Sequence, residues 1–365
     1  MTHYDYLVST SVSIILPFYN SAETLDETLQ SLYEETSRAR DLNWNLLAID
    51  DGSTDDSVAI IESWYDKLQI SLTRLPHSGT PAIARNLGIE LCDSDFMFFL
   101  DADDLVLPNG LSTAVRFAVE NHSDLVLPRL KSVGGRGVPR GMYKKSEPRV
   151  EFLKSRVYWA MNPMKVLRTE FVKANGIKFD TTLRKDSDQP FSLRAYLAAD
   201  VISVLANPPA IGYRYTKSAS NLTLRPYFVN FCFDYLEVMM KILDESNIDR
   251  EELFPLLIRN WEIEISRELI WKRLAILPPE QWDPTFKWLH EFSKERFRAS
   301  MLPKTSIRWR GIVGIIGTAN LKDFEKLLEG RRLVLENRSL ISKSRGILVS
   351  NWIRVKSTVF LPKHF

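Results

Sequence analysis

Three short apolar runs in the first hundred residues each end abruptly in polar residues, and this repetition restricts the fold more than any other feature. Val12 to Leu16 leads into Pro17-Phe18-Tyr19-Asn20, Asn45 to Ile49 into Asp50-Asp51-Gly52-Ser53, and Phe96 to Leu100 into Asp101-Ala102-Asp103-Asp104. Each run has the length and apolar character of a buried strand. Ile70 to Leu75 and Leu125 to Pro128 read as two more. Helical spacing fills the intervals, with Leu25, Leu29 and Leu32 in one segment and Val58, Ile61 and Trp64 in another. Residues 82–91 and 109–120 are helical as well. The alternation predicts an open, mostly parallel α/β sheet with helices on both faces. Ligands bind such sheets beyond the carboxyl ends of the strands, so the three polar clusters should converge on one site.

The acidic cluster sharpens that expectation. A buried strand that ends in three carboxylates must compensate their desolvation, and a divalent cation with hard oxygen ligands is one way to do so. Asp93-Ser94-Asp95 has the same Asp-x-Asp spacing but precedes the strand, so it belongs to a turn at the opposite end of the sheet. No Gly-x-Gly-x-x-Gly or Walker sequence occurs, which argues against a dinucleotide oxidoreductase or a P-loop enzyme. His77, His122 and His290 lack zinc spacing and read as structural.

After Lys131 the pattern loosens into a basic loop containing Arg136, Arg140, Lys144 and Lys145. Residues 151–166 are amphipathic, 189–199 helical, and 201–205 and 210–215 β-like. From about residue 226 the pattern is helical, with Trp261, Trp271, Trp282 and Trp288 among charges. The reading is therefore a catalytic domain over 1–225, with halves of about 1–130 and 131–225, then a helical domain over 226–365. From Met301 onward there are 13 Lys and Arg against 4 Asp and Glu. That excess suggests an anionic polymer or a membrane surface as neighbour. Cys92 and Cys232 have no metal spacing and suit a reducing compartment. The N-terminus carries no signal-peptide pattern and no run reaches the roughly 20 apolar residues of a membrane span. A cytoplasmic protein is expected, with peripheral contact at the inner membrane face one role open to the basic end.

Taken together, Val12 to Asn20, Ile49 to Asp55, Gly79 with Ala84-Arg85-Asn86-Leu87-Gly88, and Phe99 to Asp104 resemble the inverting family 2 glycosyltransferases of GT-A fold. Over residues 120–225, the stretches Gly134 to Pro139, Asn162 to Arg168 and Asp188-Gln189 are similar to bacterial wall teichoic acid glycosyltransferases, which attach a sugar to polyribitol phosphate. Ser187 departs from that pattern, where those enzymes typically carry a Glu.

The resemblance implies a nucleotide-diphospho-sugar transferase using a UDP-sugar, N-acetylglucosamine first. Pro17 and Tyr19 would line the base pocket, and Asp51 or Asp50 would accept from uracil N3–H. Arg85 would lie against the nucleotide. Asp101 and Ala102 would contact the nucleotide-sugar, and Asp103 with Asp101 would hold manganese(II) or magnesium(II). Asp188 would be the general base at a helix start, with Asp186 its competitor. Arg136, Arg140, Lys165 and Arg168 would attract an anionic glycan or polyol-phosphate acceptor. A capsular or lipid-linked acceptor, or a non-catalytic carbohydrate-binding role, are the rival readings. Nucleic-acid binding by the basic end has no recognition motif behind it. The apolar load of the C-terminal unit suggests a homo-oligomer.

Overall fold

The computed structural model describes residues 10–135, 138, 142–152, 154, 155, 157–214 and 230–246, together with 280, 282–284, 286, 287, 325 and 329. A seven-stranded sheet forms the centre, in the order β3-β2-β1-β4-β8-β6-β9. Its strands are β1 (Ser11–Phe18), β2 (Asn43–Asp50), β3 (Ile70–Arg74), β4 (Phe96–Phe99), β6 (Leu125–Pro128), β8 (Val166–Arg168) and β9 (Ile202–Leu205). A smaller sheet joins β5 (Leu105–Val106), β10 (Ile211–Arg214) and β7 (Leu130–Val133).

The strands β3, β2, β1 and β4 are mutually parallel, with Phe18 opposite Asp50 and Ile15 opposite Phe99. Their carboxyl ends therefore share one edge of the sheet. Alternation sorts their side chains. Ile14, Leu16 and Phe98 pack with Leu25, Leu29 and Leu32 of α1 (Ala22–Arg38) and with Ile61 of α2 (Ser57–Glu62). Ile15, on the other face, meets α3 (Pro81–Leu91) at Gly88, where a Cβ would come within 2.3 Å of the isoleucine. Gly88 is what lets α3 lie so close to the sheet. The N-terminus of α4 (Gly110–Glu120) is held by Glu35, a buried carboxylate that accepts from the N–H groups of Asn109 and Ser112.

The sheet is mostly parallel, as expected, and the exception is β8, which runs antiparallel to both β4 and β6. Residues 151–166, read as amphipathic, contain no α-helix among those described, and instead one short 3-10 turn, Val157–Trp159. The physical reason is that Val166 and Leu167 are fully buried between two strands, and Pro163 cannot supply a backbone donor to a helix. Beyond β8 come α5 (Thr169–Ala174), α6 (Asp188–Ala198) and α7 (Asn230–Glu245). Apart from these last residues, the predicted helical C-terminal domain lies almost wholly outside the described residues. No helix among the described residues is long and apolar enough to cross a membrane.

Candidate active site

The loops after β1 and β2 are built into one another. Asn20 takes a left-handed φ of 45° and accepts from Thr54 N–H at 2.8 Å, while its own N–H donates to Ser53 Oγ. Asp55 accepts from Ala22 N–H and from Ser57, so one carboxylate serves the first turns of two helices. Asp50 is fully buried and accepts from Ser53 N–H at 2.8 Å and from Arg74 Nε at 3.2 Å. Both of its oxygens are therefore engaged within the fold, one by the turn and one by the end of β3.

Asp51 accepts from Ser78 N–H at 3.0 Å with one oxygen and meets His77 Nδ1 at 3.0 Å with the other. The His77 ring stacks on Tyr19, 3.9 Å between centroids and 18° between planes. Gly52 makes this approach geometrically feasible: its φ is 79°, and a Cβ there would stand 2.7 Å from His77 N. Sequence spacing gave no reason to place His77 in a site, because the contact depends on how two loops fold over each other. Pro17 is a buried β1 residue in register with Ile49, two positions before Tyr19, where the loop begins.

At the end of β4, Asp101 accepts from Arg85 at 2.7 Å. Arg85 is 7% exposed and lies 5.2 Å from the Phe179 ring centre. Its buried Nε–H has no acceptor among the described residues. The Ala102 carbonyl accepts from Thr24 and Thr28 of α1, and Asp104 accepts from Arg214 N–H at 2.7 Å. Those contacts anchor the turn on both sides of Asp103. Among the described residues, no cluster of three or more His, Cys, Asp or Glu side chains could hold a metal by itself. Asp101 and Asp103 nevertheless bring hard oxygens to one turn, the donor set that magnesium(II) or manganese(II) accepts when substrate phosphates complete the shell. The residues present fit such an ion in company with a diphosphate.

The segment from Ile177 to Asp188 is brought across this turn by α3. Asn86 exchanges two hydrogen bonds with the Phe179 backbone, and Thr80, which caps α3, donates to the Leu183 carbonyl at 3.0 Å. Phe179 stacks on Phe191 at 4.0 Å, and Phe99 meets both rings edge-on. Asn86 is thus a positioning residue that its place in a helix did not reveal. Asp188 opens α6. Burial, and then the neighbouring Asp186 charge, push its carboxyl up to about 6, against the pull of Arg85, while Asp101 adds to the rise. Asp186 itself has a left-handed φ of 58° and pairs with buried Lys185 at 3.3 Å.

Of the basic residues expected to receive an acceptor, the two that are described, Lys165 and Arg168, do not share one surface. Lys165 is 1% exposed, lodged under α6. Arg168 pairs in register with Phe96, at the start of β4 and so at the opposite end of the sheet from Asp101. It contacts Asp124 and the Ser123 carbonyl. Arg136 and Arg140 lie outside the described residues. At that same far end Asp95 accepts from Ser11, as part of a turn.

Residues 13–181 match the model of the family described as glycosyl transferase family 2. The poly(ribitol-phosphate) beta-N-acetylglucosaminyltransferase TarS of Staphylococcus aureus is 35% identical over 242 residues, 66% of this chain and 41% of that protein. The poly(ribitol-phosphate) beta-glucosyltransferase of Bacillus spizizenii is 34% identical over 198 residues, 54% of this chain and 31% of that protein. The chain therefore spans less than half the length of these curated relatives. The structure of S. aureus TarS residues 1–349 in complex with UDP-GlcNAc superposes with a TM-score of 0.76 at 23% identity, covering 90% of this chain and 92% of that one. The fold is that of the GT-A transferases.

Proposed function

Because residues 13–181 carry a glycosyl transferase family 2 domain, we propose that this chain is an inverting UDP-sugar transferase acting on an anionic polyol-phosphate polymer. One observation carries the chemistry. A carboxylate poised near neutrality, Asp188, stands beside the Arg85–Asp101 pair at the edge where three strand ends meet. A base works best when its pKa lies near the operating pH.

In this reading the base stacks against Tyr19, with Asp51 at the pocket edge and His77 beneath the ring. The guanidinium of Arg85 lies against the nucleotide and donates to one of its oxygens. Asp101 and Asp103 would hold magnesium(II) or manganese(II), which offsets the charge gathering on the departing diphosphate. The acceptor hydroxyl oxygen attacks the anomeric carbon from the face opposite the diphosphate. Its proton passes to Asp188, the new C–O bond forms as the bond to the phosphate oxygen breaks, and UDP leaves. One displacement inverts the anomeric centre, so an α-linked donor gives a β-linked product.

The two curated relatives named above share a polymer but differ in sugar, one N-acetylglucosaminyl and one glucosyl. Polyribitol phosphate is therefore the better supported half of the proposal, and UDP-N-acetylglucosamine the first donor to try. We assign catalysis to residues 1–225, and acceptor guidance, self-association or docking on the inner membrane face to 226–365. The test is UDP release from a panel of UDP-sugars, with manganese or chelator, with and without polyribitol phosphate. Metal-dependent release from one donor, stimulated by the polymer, is the expected result. No release from any donor by a folded protein would overturn the proposal.

A further inference from the structure

Lys165 is a charged side chain with 1% of its surface exposed, and the reaction described above gives it no contact with either substrate. Its ammonium donates to Ser192 Oγ at 3.0 Å and to the Asn162 carbonyl, and lies 5.1 Å from the Tyr196 ring centre. Ser192 donates in turn to the Met161 or Asn162 carbonyl, at 3.0 and 3.2 Å, and the Tyr196 hydroxyl to the Ala160 carbonyl at 2.6 Å. Asp188, Ser192 and Tyr196 are four residues apart and share one face of α6. Lys165 therefore sits one turn beneath Asp188 on the same helix face.

An ammonium buried this deeply is costly, and an apolar side chain of the same length would fill the space without that cost. Packing alone does not account for it. The other cations near Asp188 are each committed elsewhere, Arg85 to Asp101 and Lys185 to Asp186. The charged groups facing Asp188 are Asp186 from its own loop, Arg85 from α3, Asp101 from the end of β4, and Lys165 from below. Carboxylates thus surround it from two sides, and Lys165 adds an opposing charge whose hydrogen bonds, among the described residues, go to no carboxylate.

We propose that Lys165 is a positioning residue for Asp188, fixing the first turns of α6 on residues 160–162 and favouring the ionised carboxylate from beneath. The inference rests on Asp188 being the base. Burial pushes the Lys165 amine down to about 7, and the Asp188 carboxylate acts to hold it up.

The test is a comparison of the full chain with Lys165→Met and Ser192→Ala, reading kcat and donor KM across pH and UDP affinity by calorimetry. An adjacent opposite charge moves a carboxyl by about one unit or more. Lys165→Met should therefore lose about tenfold in kcat on the acid side and under about twofold near pH 9, with UDP affinity and donor KM unchanged. Ser192→Ala keeps the charge and should lose about threefold without moving the acid midpoint. A loss that is uniform across pH, or a rise in donor KM at constant kcat, would overturn the proposal, as would wild-type behaviour of Lys165→Met. If Lys165→Met does not fold, Lys165→Gln, which retains a donor without the charge, carries the same expectations. Absence of turnover in the wild type with every UDP-sugar would instead overturn the transferase reading itself.

Discussion

At the ends of β1 and β2, each buried carboxylate is met by donors of its own. Asp50 has Ser53 N–H and Arg74, and Asp51 has Ser78 N–H and His77. At the start of α6 the arrangement is reversed: Asp188 is enclosed beside other carboxylates, and a lysine is buried under it. The first region uses its carboxylates as acceptors that shape loops. The second holds groups whose charged forms the fold disfavours, which is the condition that moves a pKa toward neutrality.

The largest effect that separates the two regions should come from Asp188→Asn. Loss of a general base costs about 10³-fold in rate, so transfer should nearly vanish while UDP binding by calorimetry stays within about twofold. Turnover that survives the substitution would move the base to Asp186. In the wild type, kcat should fall as pH drops through about 6, the value to which burial and Asp186 raise the Asp188 carboxyl.

Arg85→Ala should come next, because Arg85 links the regions. It pairs with Asp101 on one side and lowers the Asp188 carboxyl on the other. Removing one partner of a buried pair costs about 3 kcal/mol of stability, and loss of a donor to the diphosphate should lower kcat/KM by roughly 100-fold. The acid midpoint of the remaining activity should also move up, since a charge that favoured the ionised form is gone. A loss confined to donor KM would restrict Arg85 to the nucleotide side.

Stability should respond with opposite signs. Asp50→Ala removes the acceptor for Ser53 N–H and Arg74 and should lower unfolding stability by about 2 kcal/mol. Asp188 titrates higher in the fold than its ordinary value of 3.8, so the native state holds its proton more tightly than the unfolded chain. Its contribution is fully present below that value and is lost as pH rises through about 6. At pH 7 the ionised group is therefore a burden, and Asp188→Asn should raise stability by about 1 kcal/mol after discounting its residual solvent access. Denaturant melts of both variants at pH 7 and pH 5 test the contrast. Equal destabilisation by both would break it.

The difference between the regions also explains what could be read from residues alone. Strands β1, β2 and β4 carry apolar periodicity and end in distinctive polar clusters, so both the sheet edge and Asp101 were legible. Strand β8 was not, because three residues inserted between neighbours distant in sequence have no periodicity to display. His77 and Asn86 were hidden for a related reason: each acts through a loop that only the folded chain brings near. Lys165 was misplaced because charge in a sequence reads as surface, whereas here the helix above supplies the partners that let an ammonium stay inside.

Arg168 provides the smallest expected effect and a limit on where the acceptor lies. It belongs to the run of basic residues that a polyanion would be expected to follow, yet its strand register puts it at the start of β4, away from the carboxyl edge. Its guanidinium donates to the Ser123 carbonyl at 2.9 Å and stands 3.7 Å from Asp124. Asp124 in turn accepts from Asp200 and Val201 N–H, at 2.9 Å each, so Arg168 helps to hold β8, β6 and β9 in register. Arg168→Ala should leave kcat and polymer KM within about twofold, and lower stability by about 1 kcal/mol through the lost contacts. A several-fold rise in polymer KM that disappears at high salt would mean that the acceptor reaches round to this end of the sheet. The division between a carboxyl edge proposed to do the chemistry and a far edge that holds strands would then no longer stand.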